Sequence, residues 1–249
     1  MKQENNTSVI AGRNAVMEAI RSGRPIERLY VQEQAHGAAS KLIALAGSKK
    51  IPMLMVERGV IDRLAPGTKH QGVAAVVAAY DYSTVEDMLD LAKERGEDPF
   101  LIILDEIEDP HNLGAIMRTA ECVGAHGVIV AKHGGVGLTE TVVKSSAGAV
   151  EYVPCAQVTN IGKTIDSLKE KGFWIAACDM GDSLYYEADL TGPFAMVIGN
   201  EGRGISRLVK EKCDFTVSIP MRGKIDSLNA SNAAAIIMYE VRRQRDGKD

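Results

Sequence analysis

The stretch FLIILDEIEDPHNLGAIMRTAECVGAHGVIVA (100–131) decides the fold. Phe100–Leu104 is an unbroken apolar run of strand length. Leu113, Ile116, Met117, Ala120 and Val123 then recur at helical spacing, and Gly127–Ala131 reads as a second strand. Apolar strands on either side of a helix make a βαβ unit, whose strands are buried on both faces of a parallel sheet. The rest of this half repeats the pattern. Strands are expected at Tyr152–Cys155, Phe173–Cys178, Ala195–Ile198 and Phe215–Ile219. A glycine-rich loop (Gly134, Gly135, Gly137) leads to a helix from about Thr139, and Ser231–Arg245 closes the chain as a helix. The fold class is α/β.

Three segments of this half hold polar residues and turn-formers that cannot pack a core: DEIEDPHNLGAIMRT (105–119), VIGNEGRGIS (197–206) and IPMRGKIDSLNAS (219–231). Open α/β sheets bind ligands in loops at one edge, and three such segments predict a site there. Asn112 is placed to cap a helix. Arg118 is either a surface arginine or a donor fork over a phosphate or ribose. Gly199, Gly202 and Gly204 allow close backbone approach, with Glu201 between them. Ser227, Asn229 and Ser231 crowd a helix start whose free N–H groups need partners.

Residues 1–80 read as a compact αβαβαβ unit, in which a helix over Ala11–Ile20, a strand Ile26–Val31, a helix His36–Ala46, a strand Pro52–Val56 and an apolar strand Gly72–Tyr80 can be placed. Residues 81–98 are acidic, carry a short amphipathic helix and read as a linker to a domain spanning 99–249. The net charge of −4 is unevenly spread: residues 1–80 hold 11 Lys/Arg against 6 Asp/Glu, the remainder 18 against 27. A basic lobe on an acidic protein fits a polyanion-binding module.

Other chemistries lack their signatures. No GxxxxGK[ST], first-turn GxGxxG, GxSxG or HExxH occurs. The five histidines and four cysteines show no metal-ligand spacing, so no metal is expected, and reduced cysteines point to a cytoplasmic protein. The polar start MKQENNTSV is unlike a secretory signal, and no apolar run is long enough for a membrane span.

Together the three segments resemble the SpoU (TrmH-type) branch of the SPOUT RNA methyltransferases. The pattern N-x-G-x-x-x-R is matched by Asn112, Gly114 and Arg118; G-x-E-G-x-G by Gly199, Glu201, Gly202 and Gly204; and P-M-x-G-x-x-x-S-L-N-x-S by Pro220, Met221, Gly223, Ser227, Leu228, Asn229 and Ser231. In the first lobe, Gly12, Ala15, Val16, Glu18 and His70-Gln71-Gly72 resemble the L30e-like substrate-binding domain of large-subunit (23S) rRNA guanosine 2′-O-methyltransferases. The chain departs from these relatives at Asn14 and Asn232.

The resemblance implies a trefoil-knotted parallel sheet behind the L30e-like domain, S-adenosylmethionine as cofactor, RNA as partner and a homodimer. It places Gly199, Ile219, Leu228, Met221 and Asn229 at the cofactor. It assigns the chemistry to Arg118, Asn112, Glu201, Ser231 and Asn229, with Arg118 of one subunit acting near the cofactor of the other. Arg13, Arg21, Arg24, Arg28, His70 and Gln71 become the expected RNA contacts. The implied reaction is ribose 2′-O-methylation of a guanosine in 23S rRNA. A tRNA ribose methyltransferase and a non-catalytic ribosome-assembly factor are the alternatives.

Overall fold

A computed structural model of the chain describes residues 7–33, 37, 39–78, 82–181 and 183–247. The expected helix start at His36 and strand end at Tyr80 lie outside the described residues. The chain divides into two compact units, 1–81 with 138–152 and 82–137 with 153–249.

The first unit contains β1 (Thr7–Ala11), α1 (Arg13–Arg21), β2 (Ile26–Gln32), α2 (Ser40–Ser48), β3 (Met53–Val56), α3 (Arg58–Leu64) and β4 (Val73–Ala78). Its sheet runs β1-β4-β2-β3, with β4 antiparallel to both neighbours and β2 parallel to β3. The order therefore opens on a strand that the apolar pattern did not predict. β1 is short and follows a polar leader, and it is defined by its antiparallel register on Ala74–Ala78. Gly12, at φ 104°, turns the chain from β1 into α1, in a region L residues rarely adopt. α1 buries Ala15, Val16, Ala19 and Ile20 along one stripe.

The second unit opens with α4 (Val85–Arg95), inside the acidic stretch. Thr84 and Asp87 form a reciprocal capping box at its start, and Gly96 ends it in the left-handed region. β5 (Phe100–Leu104), buried throughout, leads to α5 (Pro110–Cys122) and β6 (Gly127–Ala131). α6 (Glu140–Ser145), capped by the Thr139 side chain, belongs with the first unit. There Glu151 accepts from Arg24 Nη1 and Ser22 Oγ, each at 3.1 Å, and the Tyr152 hydroxyl donates to Glu18 at 2.7 Å.

The second unit resumes with β7 (Cys155–Val158), α7 (Ile161–Glu170), β8 (Trp174–Cys178), β9 (Phe194–Ile198), α8 (Arg207–Lys210), β10 (Phe215–Val217) and α9 (Ala230–Asp246). The strand expected at Tyr152–Cys155 instead begins at Cys155. Pro154 has no N–H to give to a ladder, and its carbonyl accepts from Val128 N just before pairing starts. All pairs in this sheet are parallel, in the order β10-β8-β9-β5-β6-β7. Met88, Ile165 and Leu168 pack with Leu101, Ile103, Ile129, Ile175 and Val197 in one core cluster. Gly127 lies directly beneath Met88, and a Cβ there would displace the thioether from its place in the core.

The strand order sets the position of the site. From β5 the chain moves outward to β6 and β7; from β9 it moves the other way, to β10. β5 and β9 are neighbours, so their C-terminal loops diverge around a crevice, the topological switch point where open α/β sheets bind ligands.

Candidate functional site

A cleft of about 420 Å³ opens at this edge. It is lined by the ends of β8, β9 and β10, by residues 199–204, by Ile219, Met221 and 226–228, and by Ala230, Ala233 and Ile237 of α9. The size suits a small organic ligand.

The loop after β9 is shaped by its glycines. Asn200 and Gly204 exchange two backbone hydrogen bonds, at 3.1 and 2.8 Å. Gly199 lies so close to the Gly204–Ile205 peptide that any Cβ would collide with main chain. Asn200 Oδ1 accepts from Gly202 N at 2.9 Å, and its amide donates to the Glu106 carbonyl at 2.9 Å, tying this loop to the one after β5. Glu106 sits at φ 58°, where a non-glycine residue is strained. Arg203 bridges the Glu106 and Glu108 carboxylates at 3.2 and 2.6 Å.

The first segment contributes differently from its expected role. Asn112 does not cap α5. Pro110 occupies the first turn and Asp109 caps it, accepting from His111 N at 2.8 Å. Asn112 is thereby free, and it is 5% exposed. Its Nδ2 donates to Glu201 Oε1, and its Oδ1 accepts from Asn229 Nδ2 at 2.9 Å. Asn229 Oδ1 in turn accepts from Ser231 N at 3.0 Å, Ser231 Oγ at 2.6 Å and Asn232 N at 3.4 Å, capping α9. One hydrogen-bonded chain therefore joins all three segments. Its polarity is fixed at both ends: backbone donors hold the Asn229 oxygen at one end, and an ionised carboxylate can only accept at the other.

Gly199, Glu201, Ile219, Met221 and Leu228 line the cleft. Among the described residues, the main chain of Ile219, Met221 and Leu228 makes no hydrogen bond within the protein, which leaves donors and acceptors on the wall. Asn229 adjoins the cleft through Leu228 and Ala230, and Ser231 is held behind it. Arg118 is not brought in: it is exposed on α5 and meets no acidic partner among the described residues. Cys178 lines the cleft, but burial pushes its thiol well above the ordinary range, so it presents no thiolate nucleophile.

The expected RNA contacts of the first unit separate into two groups. Arg13 N donates to Gln71 Oε1 at 3.4 Å, and Gly12 N to Val73 O at 3.0 Å, stitching two loops together at one sheet end. Gln71 stands there at φ 52°, exposed. His70 is 5% exposed and spans the turn: Nδ1 accepts from Gly72 N and Nε2 meets Asp62 Oδ1, both at 2.9 Å. Arg21 ends α1 and Arg24 lies in the connection that follows it. Arg21 is exposed and pairs with Glu18, whereas the Arg24 side chain is 6% exposed against Glu151. Arg28 is exposed on β2.

Ile198 and Arg203 of the 197–206 segment also line the cleft, whereas sequence reasoning missed Asp179 and Ile237. Of these two only Asp179 carried a signal: an acidic residue directly after an apolar strand.

Residues 99–239 match the family described as the SpoU rRNA methylase family, and residues 9–83 match the RNA 2′-O ribose methyltransferase substrate-binding family. YacO of Bacillus subtilis, assigned to the TrmH family of tRNA/rRNA methyltransferases, is 48% identical over 95% of this chain and 96% of its own. The SpoU methyltransferase AviRb of Streptomyces viridochromogenes, crystallised with AdoMet, superposes with a TM-score of 0.83 at 29% identity, covering 97% of this chain and 91% of its own. An AdoMet-bound rRNA methyltransferase of Sinorhizobium meliloti gives a TM-score of 0.80 at 26% identity, over 96% and 88%.

Proposed function

Because the chain belongs to the SpoU rRNA methylase family, we propose that it methylates the ribose 2′-hydroxyl of a guanosine in large-subunit rRNA. It is an RNA methyltransferase that uses S-adenosylmethionine, and its parallel sheet is consistent with the knotted fold of that family. The hydrogen-bonded chain from Asn229 through Asn112 to Glu201 carries the reading. It aims one carboxylate into the cleft from three distant stretches of sequence. Support for a 2′-hydroxyl target comes from the substrate-binding family matched at 9–83, and support for rRNA from the Sinorhizobium relative.

The cleft residues fit the cofactor. Ile198, Leu228 and Ile237 offer apolar surface for a purine, and the unpaired main chain at Ile219, Met221 and Leu228 can meet its polar edge. When bound, S-adenosylmethionine supplies a methyl group on a sulfonium, already an electrophile. The protein positions the acceptor and takes a proton. Glu201 accepts that proton from the 2′-hydroxyl while Asn112 holds its other lone pairs in place. A guanidinium is always protonated, so Arg118 cannot serve as base. It clamps the phosphate beside the target ribose, from the opposite subunit of a homodimer.

Ribose methylation mapped on rRNA from cells with and without the gene tests the assignment. One guanosine of the large-subunit RNA should lose its 2′-O-methyl group in the deletion strain. Loss from tRNA alone would transfer the reading to that substrate, and no loss from any RNA would end it.

A further inference from the structure

We propose that Asp179 is the residue that recognises the ribose of the methyl donor, taking hydrogen bonds from its vicinal hydroxyls. The inference rests on the cofactor assignment above. Asp179 directly follows β8 and lines the cleft. Its position across the cleft follows from strand order. β8 flanks β9 on the side opposite β5, whereas Asn112 and Glu106 belong to the β5 side. The proton-accepting apparatus and Asp179 thus stand on opposite flanks of the β9 loop.

The carboxylate is held rather than free. Oδ1 accepts from Met180 N at 2.7 Å, and Oδ2 accepts from Lys210 Nζ at 2.8 Å. Oδ2 also lies 4.0 Å from the position a Cβ on Gly204 would take, so it sits beside the glycine loop that floors the cleft. Asp179 N donates to Val217 O at 3.2 Å, which fixes the residue against the apolar wall of Val217 and Ile198.

Three chemical facts select the ligand group. A carboxylate only accepts, so its partner must donate. Lys210 neutralises its charge, so the pair has little net attraction for a cation such as the amino-acid ammonium, and uncharged hydroxyls suit it better. The hydroxyls nearest an apolar purine pocket are those of the attached ribose. An acidic residue in the crevice of a nucleotide-binding α/β sheet uses the same pairing with a ribose hydroxyl.

Titration calorimetry on the full-length protein tests this with S-adenosylhomocysteine and its 2′-deoxy and 3′-deoxy analogues. The wild type should bind the parent compound and lose about tenfold in affinity for at least one deoxy analogue, as expected for a hydrogen bond to a charged group. Asp179→Asn should weaken the parent compound by a similar factor and abolish most of the discrimination against that analogue. Equal affinity of the wild type for all three compounds overturns the proposal while leaving the cofactor assignment intact. So does discrimination that survives in Asp179→Asn. Failure of the wild type to bind S-adenosylhomocysteine at all overturns both. Equal binding in the wild-type arm overturns the proposal by itself, and if Asp179→Asn does not fold, Asp179→Ser is read for the same loss of discrimination.

Discussion

Glu201 is an exposed carboxylate whose orientation depends on residues about a hundred positions away in sequence. Asn229 must present its oxygen to the N–H groups of α9, so its Nδ2 faces Asn112; Asn112 must then turn its own Nδ2 to Glu201. Replacing Glu201 by Gln leaves an oxygen that can still accept from Asn112 Nδ2, but it removes the carboxylate that takes the proton. Glu201→Gln should lower single-turnover methyl transfer by about 10²–10⁴-fold, the range for loss of a general base. Its affinity for neutral S-adenosylhomocysteine should stay within about twofold, since a single solvent-exposed polar group contributes little to binding. An unimpaired rate would remove Glu201 as proton acceptor. The types and spacing of these residues were legible in the sequence. The role of Asn112 was not, because Asn is also a good cap. Asp109 followed by Pro110 was the competing signal, and it decides where α5 begins.

Elements without a strong apolar period were harder to read. α3 buries only Ile61 and α2 only Leu42 and Ala46, so each relies on the sheet beside it more than on its own stripe. Residues 138–152 belong to the first unit, where α6 packs on β1 and the polar contacts of Glu151 and Tyr152 leave no periodic trace. The β5–β6 region, by contrast, was plain from composition, yet its stability depends on a buried histidine. His126 is fully buried, with Nδ1 accepting from Phe100 N at 3.0 Å at the start of β5. Nε2 stands 3.3 Å from Glu97. Desolvation, aided by the Arg95 charge and opposed by Glu97, pushes its pKa down from 6.5 to about 4. Between those values acid protonates the unfolded chain but not the folded one. The contribution is therefore whole above about pH 6.5 and is lost as the pH falls toward 4. Urea unfolding at pH 7.5 and pH 5 should differ by about 2 kcal/mol from this residue. In His126→Asn, whose side-chain oxygen can still accept from Phe100 N, the difference should shrink by that amount. An unchanged pH difference would place the acid sensitivity elsewhere. Within α9, Asn229→Ala should cost about 1 kcal/mol as a lost cap, seen in thermal unfolding, and should slow transfer as Glu201→Gln does.

At the scale of the molecule, the parallel sheet and its loaded edge follow from the apolar strands and the three motif segments. The path by which the chain closes after β10 does not. Periodicity carries no information about which strand lies beside which, and the placement of β10 next to β8 rather than β9 is a tertiary outcome. The same limit applies to Arg118. Six positions beyond Asn112 on α5, it points to solvent while Asn112 points to Glu201. Within one chain the motif residues therefore divide into a cleft group and an outlying arginine. If two subunits complete each other, mutations in the two groups must complement. Arg118→Ala and Glu201→Gln, each nearly inactive alone, are mixed after unfolding and refolded together. Half of the dimers formed at random carry one of each chain. In each of these, one site holds both substitutions and the other holds neither. The mixture should recover about a quarter of the wild-type activity, as a two-fold symmetric assembly with shared sites requires. If Arg118 served the cleft of its own chain, every site would carry one lesion and the mixture would stay inactive. Sedimentation of the same samples at micromolar concentration separates that outcome from a failure to dimerise, because a monomeric protein could show no complementation whichever cleft Arg118 serves.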